Sequence, residues 1–338
     1  MYTKLAIPKF FIMNLVQKYQ ESFKKHIQKY IVSLNHRHPK ELYQPNQYIL
    51  QSDAKHIRPI LSLLACHLYG EKHSKALSVA LAVELFHTFS LIHDDILDNA
   101  TLRRGKKTIH TKWNTNIAIL AGDVLLVEAF KQLNTYPPHI HHSLHKAFTL
   151  ASVEICEGQQ GDMNFEKQSI VSSYDYLEMI RKKTAVLIGT SLKMGSIVAQ
   201  ADSKEQNKIY KVGENIGIAF QIMDDYLDTF GDPKIFGKKI GNDILSNKKT
   251  YLITKAYELA NTSQKKQLKY LLHLPANEDK IHQMKQFLAE LGIDILALKT
   301  AQDIHHKNLK LIHSLKVKYL PAKEALAQLS EQLINRTK

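Results

Sequence analysis

The chain has 338 residues, 44% of them hydrophobic, which is enough apolar content for one large core or two ordinary ones. Its two cysteines, Cys66 and Cys156, lie in apolar helical contexts without metal-ligand spacing; this excludes a disulfide scaffold and points to buried thiols in a reducing compartment. A net charge of +14 suggests nucleic acid or an anionic membrane as partner, but lysine and arginine are dispersed. Their denser groups, at 103–107, 181–183 and 238–249, fall beside acidic motifs or within motif segments, so a polyphosphate pocket accounts for them and no nucleic-acid partner is expected.

With 13 glycines, 9 prolines, long stretches at helical period and no alternating strands, the sequence predicts an all-α protein. No linker, low-complexity segment or wider repeat divides it, so one domain over 1–338 is expected. The start, Phe10-Phe-Ile-Met-Asn-Leu-Val, is apolar for seven residues and then polar without a cleavage site, which predicts an amphipathic helix over 11–34. No run approaches the length of a membrane span, so a soluble, cytoplasmic protein is expected. Residues 36–46, with Pro39 and Pro45, read as a connecting loop. Lys55 and Arg58 precede Pro59, which suits the first turn of a helix over 60–69. A bound anion there would meet free N–H groups and the positive dipole end, although on this segment alone two exposed basic residues are the better reading.

From about 74 to 99 a helix carries Glu84, His87 and the stretch Leu91-Ile-His-Asp-Asp-Ile-Leu-Asp. Asp94 and Asp98 stack one turn apart on one face with Asp95 on the adjoining face, an arrangement that costs stability unless a cation or solvent relieves it. The apolar flanks argue against a solvated patch without deciding the matter. A second copy about 130 residues later, Phe220-Gln-Ile-Met-Asp-Asp-Tyr-Leu-Asp, repeats the spacing with Asp224, Asp225 and Asp228. Hard oxygen ligands from two helices suit magnesium shared with substrate phosphates. Gln221, three and four residues before Asp224 and Asp225, can brace that site. His87 is seven before Asp94 and nearly on its face, where a histidine is more often a satisfied core residue than a ligand. Arg103 and Arg104 offer planar forks for phosphate oxygens. Gly122 permits close packing and Asp123 is expected to be a buried hydrogen-bonding partner. Gln159 and Asp162 close a helix around 143–166 and read as a polar helix end. Gly237 and Gly241 permit turns that let Lys238 and Lys248 reach a leaving diphosphate. From Tyr251 onward, amphipathic helices broken near Asn261, 273–277 and Pro321 carry no identifiable chemistry.

The two aspartate motifs resemble those of the trans-isoprenyl diphosphate synthases, the polyprenyl synthetases, and the likeness runs from about residue 55 to 250. The resemblance implies a helical bundle of the isoprenoid synthase type around a deep cavity, a homodimer, and three magnesium ions held by Asp94, Asp95, Asp98, Asp224, Asp225 and Asp228. The implied reaction is head-to-tail condensation of isopentenyl diphosphate with an allylic diphosphate, catalysis resting on Asp94, Asp98, Asp224, Lys183 and Lys238. Lys55, Arg58, His87 and Arg104 would hold isopentenyl diphosphate; Arg103, Lys183 and Thr184, with Lys238 and Lys248, would hold the allylic diphosphate. Gln159 and Asp162 also resemble residues that line the family's cavity. Where the family has Gly-Gly-Lys-Arg-x-Arg-Pro this chain has Asp53-Ala-Lys-His-Ile-Arg-Pro59, Lys106-Lys107 stand where proline is usual, and Asn114 where glycine is common.

Product length should be set below Asp94. At helical rise, Ser90 lies roughly 6 Å, Phe89 roughly 8 Å, Phe86 roughly 12 Å and Val83 roughly 16 Å down the helix. Ideal geometry makes Phe86 the better floor; the resemblance stresses Phe89, and an aromatic there without an insertion in the first motif resembles enzymes that make geranylgeranyl diphosphate, with farnesyl diphosphate the close alternative. Two rivals are a class I terpene cyclase, disfavoured by the second aspartate motif, and a noncatalytic subunit of a heteromeric prenyl synthase, disfavoured because all six aspartates are present.

Overall fold

The computed structural model describes residues 9–232 and 240–334. Its elements are α1 (Lys9–Ser33), α2 (Lys40–Leu50), α3 (Ile57–Leu68), α4 (Leu77–Leu97), a hairpin of β1 (Leu102–Arg103) and β2 (Lys106–Lys107), and the single turn α5 (Ile109–Lys112). There follow α6 (Thr115–Gln132), α7 (Pro138–Glu166), α8 (Ser173–Ile180), a π-helical turn (Arg181–Ala185), α9 (Val186–Val198) and α10 (Ser203–Phe230). The chain ends in α11 (Asn242–Leu245), α12 (Tyr251–Leu259), α13 (Thr262–Leu272), α14 (Glu278–Glu290), α15 (Ile293–Ser314) and α16 (Leu320–Ile334). The all-α expectation holds. Two compact units form, one from residues up to 149 with 190–210 and 315–326, the other from 150–189, 211–314 and 327 onward.

In the first unit α4 is apolar nearly all round and therefore buried: Val79, Ala80, Leu81, Ala82, Val83, Leu85 and Phe86 are each 2% exposed or less. The stretch His73–Leu97 is long and apolar enough to cross a membrane by composition, but 61% of its most apolar window is buried inside the protein. α6 packs along α4, and a Cβ at Gly122 would lie 2.4 Å from Nε2 of His93, so glycine lets that imidazole pack close against α6, as expected. Asp123 differs from expectation. The buried positions of α6 include Ala121, Gly122, Leu125, Glu128 and Ala129; Asp123 falls off that stripe and is exposed. Asn114, the departure from glycine, caps α6 by accepting the Ile117 N–H at 2.9 Å.

Most of the stretch 36–46, read as loop because of its prolines, is helical: from Lys40 it belongs to α2. Pro39 precedes the first turn, and Pro45 lies within α2 and is buried. There it forfeits the bond its missing N–H would have made to the Glu41 carbonyl, a cost that burial of Pro45, Asn46 and Leu50 offsets. Cys66 is buried as expected, whereas Cys156 is exposed.

The second unit centres on Tyr176, Ile222, Tyr251, Leu252, Leu268, Met284 and Leu288. Its helices start where the sequence supplies caps. Thr250, Asn261 and Asn277 accept N–H groups from the first turns of α12, α13 and α14, and Asn261 with Gln264 completes a capping box. Pro321, expected at a break, lies in the first turn of α16, where its missing N–H costs nothing.

Candidate active site

In the first unit the C-terminal turn of α4 presents Asp94, half-buried, and Asp98, exposed. Asp95 turns inward. It is 2% exposed, and its Oδ1 accepts both Nε and Nη2 of Arg103 at 2.8 Å. Burial raises its carboxyl above the ordinary range, and the Arg103 charge opposes that shift. The resemblance counts Asp95 among the metal residues; here its side chain anchors a guanidinium. The hairpin explains the anchoring. Arg104 and Gly105 both have positive φ (51° and 74°) and join Arg103 to its partner Lys106, the two-residue turn whose twist suits a tight hairpin. Arg103 is thereby drawn toward α4, and Arg104 sits at the exposed tip with Nη1 donating to the Asp53 carbonyl at 3.2 Å.

Arg58 rises from the first turn of α3. Its Nη1 donates to Nε2 of His87 at 3.0 Å, so that nitrogen is the acceptor and the ring proton sits on Nδ1. Burial, with Arg58, Arg104, Arg103 and His56 nearby, holds His87 well below the usual histidine range and therefore neutral. Burial pushes Arg58 down to about 10, against the pull of Glu84. Its Nε is buried without a partner: a donor directed at nothing in the protein. Lys55 is exposed just before it.

Below the aspartates, Phe86 and Phe89 meet edge to face with centroids 5.3 Å apart. Phe148 of α7 stands 5.3 Å from Phe86, and Phe130 of α6 4.9 Å from Phe148. The aromatic cluster therefore extends onto helices that sequence reasoning did not connect to Phe86 and Phe89. The Ser90 hydroxyl is turned back onto the His87 carbonyl at 2.9 Å.

In the second unit Asp224 and Asp228 are half-buried on α10, and again the middle residue turns inward. Asp225 is 2% exposed. Its Oδ2 accepts the Tyr176 hydroxyl at 2.5 Å and the Tyr251 N–H at 2.8 Å, and its Oδ1 accepts Nε2 of Gln221 at 3.2 Å. Burial pushes its carboxyl up to about 6 in spite of these donors. Gln221 in turn accepts the Thr184 hydroxyl at 3.4 Å, which links the π turn to the aspartate helix.

That π turn carries Lys183 and Thr184. Glycines from two helices make room for its wide backbone: a Cβ on Gly158 would come within 2.4 Å of the Lys183 nitrogen, and one on Gly217 within 2.4 Å of the Ala185 Cα. Lys183 Nζ bonds Asp162 at 2.6 Å, so Asp162 belongs with the site, while Gln159 keeps a buried Oε1 without a partner. The other cations of the 181–183 group are neutralised locally. Arg181 is bound by Glu154, Glu178 and Glu214, and Lys182 by Glu157.

Sequence reasoning missed Asp243. The Gly241 N–H donates to the Asp228 carbonyl at 2.6 Å and the Asp243 N–H to Asp228 Oδ2 at 3.0 Å, which seats α11 against the acidic motif. Burial pushes the Asp243 carboxyl up to about 7, with Lys248 opposing and Asp228, Asp225 and Asp224 reinforcing the shift. The only sequence signal was its place after Gly241, whose φ of 83° makes the turn. Lys248 is exposed; Lys238 lies outside the described residues.

The accessible donors of both motifs are carboxylate oxygens alone, a set that fits magnesium. Among the described residues no three His, Cys, Asp or Glu side chains converge as a self-sufficient cage.

Two aspartate helices with basic partners on an all-α frame define the isoprenoid synthase fold. The sequence matches the family model described as Polyprenyl synthetase over residues 39–291. It is 37% identical over 309 residues to a geranylgeranyl pyrophosphate synthase of Geoglobus acetivorans, covering 90% of this chain and 93% of that protein. It is 35% identical over 327 residues to a short chain isoprenyl diphosphate synthase of Methanothermobacter thermautotrophicus, covering 96% and 98%. A crystal structure of a geranylgeranyl pyrophosphate synthase superposes with a TM-score of 0.88 at 40% identity, covering 99% of each chain. The chain belongs to the polyprenyl synthetase family.

Proposed function

We propose that this protein is a short-chain trans-prenyltransferase that condenses isopentenyl diphosphate with allylic diphosphates, with geranylgeranyl diphosphate as the main product. The repeated side-chain arrangement carries the reading: in each motif the middle aspartate is buried under internal donors, while the outer ones, 94 and 98 or 224 and 228, keep solvent exposure, although Asp228 also accepts the Asp243 N–H. The relatives named as geranylgeranyl synthases support the product. Magnesium held by Asp94, Asp98, Asp224 and Asp228 would supply Lewis-acid neutralisation of a departing diphosphate. Arg103 in the first unit, and Lys183 with Lys248 and Lys238 in the second, add fixed positive charge for diphosphate oxygens. Arg58, Arg104 and Lys55 hold the nucleophile's diphosphate, and neutral His87 keeps the Arg58 fork oriented. The apolar wall of α4 keeps water from the allylic cation, and the departing diphosphate takes the proton. A homodimer in the cytoplasm completes the reading; the apolar side chains that α6 leaves exposed, Ile119, Leu120 and Val127, suit a partner subunit. Incubation of the purified protein with magnesium, isopentenyl diphosphate and each allylic diphosphate in turn, followed by product sizing, tests it. A twenty-carbon product is expected, and absence of any elongated product would overturn the reading.

The two diphosphate ends separate kinetically. Arg58→Ala should raise the Michaelis constant for isopentenyl diphosphate about tenfold or more, whereas Lys183→Ala should act mainly on use of the allylic substrate. The same substrate-specific defect in both variants would contradict the division.

Product length should respond to the aromatic floor. Phe86→Ala or Phe89→Ala is expected to yield longer products by opening depth at the ring positions, and Phe148→Ala tests the continuation onto α7. Unchanged product size in the two α4 variants and in their double would place the floor elsewhere.

A further inference from the structure

The segment ahead of α3 departs from the family pattern at residue 56, where histidine stands for arginine. His56 is in the left-handed region (φ 47°, ψ 38°), which is uncommon outside glycine but which histidine, like asparagine and aspartate, adopts more often than other residues and keeps when its surroundings hold it. Two side chains do so. The His56 Nδ1 lies 2.8 Å from Oε1 of Glu84, a residue of α4 that is 5% exposed. Its ring stands edge-on to Phe23 of α1, centroids 5.1 Å apart. The His56 carbonyl accepts the Ile60 N–H at 3.1 Å, so this residue fixes where α3 begins. At the other end of the segment, Asp53 is tied to Arg104. Between these ties stands Lys55, and just past them Arg58. Ser52, His56, Glu84, Arg103 and Arg104 line one cleft, which places the pair beside the basic groups without making it one of them.

We propose that His56 and Glu84 form a positioning pair that fixes the left-handed turn, and with it the bearing of Lys55 and Arg58 on the isopentenyl diphosphate end of the site; this rests on the function proposed above. A buried carboxylate must be hydrogen-bonded, and a ring held by Glu84 on one side and Phe23 on the other cannot let the turn relax. The pair thus converts the packing of α1 and α4 into the direction of two cations.

The test uses the full-length protein, steady-state kinetics with each substrate varied, and calorimetric titration with isopentenyl diphosphate alone. His56→Asn keeps a residue that tolerates the left-handed backbone but cannot reach Glu84. It should raise the Michaelis and dissociation constants for isopentenyl diphosphate about five- to tenfold, leaving kcat and the allylic Michaelis constant within about twofold. Glu84→Gln should move the same constants, and the double variant should be no worse than the poorer single, because both remove one interaction. His56→Arg, which again offers Glu84 an N–H donor, should return the constants toward wild type, a rescue that loss of packing alone would not allow. Unchanged constants in His56→Asn, equal losses for both substrates, or failure of the arginine rescue would overturn the pair. A wild-type protein that binds isopentenyl diphosphate but makes no product would contradict the proposed function instead, and the titrations would then decide the pair by themselves.

Discussion

Asp94→Asn and Asp224→Asn should each lower turnover by about a thousandfold, close to 4 kcal/mol of transition-state stabilisation, while shifting the melting temperature by no more than about 2 °C. Both residues are half-buried on their helices, so an amide of the same size fits without a cavity. What is lost is the negative charge that would hold magnesium against a diphosphate. Steady-state rates at saturating substrate, with thermal melts of the same preparations, check it. Near-normal turnover in both variants would remove the metal assignment, and a collapsed melt would show that the carboxylates serve the fold.

Asp225→Ala should do the opposite, acting first on stability. Its carboxylate receives the Tyr176 hydroxyl, the Tyr251 N–H and the Gln221 amide, and two of these residues, Tyr176 and Tyr251, are 2% exposed. Truncation leaves those donors buried without an acceptor at a cost of about 1–3 kcal/mol each, so a loss of at least about 3 kcal/mol is expected. At the scale of a large domain this lowers the melting temperature by roughly 6 °C or more. The Tyr251 N–H belongs to the first turn of α12 and Gln221 leads to Thr184, so loosening should spread to the π turn. Faster amide exchange at Tyr251 and around Thr184 is the local readout. A melt within about 2 °C of wild type would show that Asp225 does not organise this unit.

The contrast between outer and middle aspartates marks where the sequence stops being informative. Spacing placed Asp94 with Asp98 and Asp224 with Asp228, because residues four apart share a face. It put the middle residues on an adjoining face but could not say what lay there. Arg103 and the Tyr176–Tyr251 pair are brought in by a hairpin and by distant helices. Asp243 was invisible for the same reason, since only the turn at Gly241 brings it to Asp228. The π turn left no periodic signature; its requirement is written in Gly158 and Gly217, far from Lys183 in sequence. Misreadings came from local rules overridden by packing: Pro45 sits in a helix because α2 is buried around it, while Asp123 and Cys156 are exposed because each lies off its helix's buried stripe. What was legible, namely the helical class, the breaks near Asn261 and Asn277 and Pro59 in a first turn, depends on neighbours within about one or two helical turns.

Turnover measured against free magnesium tests the central claim most directly. Wild-type protein in excess chelator should make no prenyl product and should regain full activity when magnesium is restored, and Asp224→Asn should need about tenfold more magnesium for half its own maximal rate. Activity that persists in chelator, or an Asp224→Asn enzyme with wild-type magnesium dependence, would contradict the account.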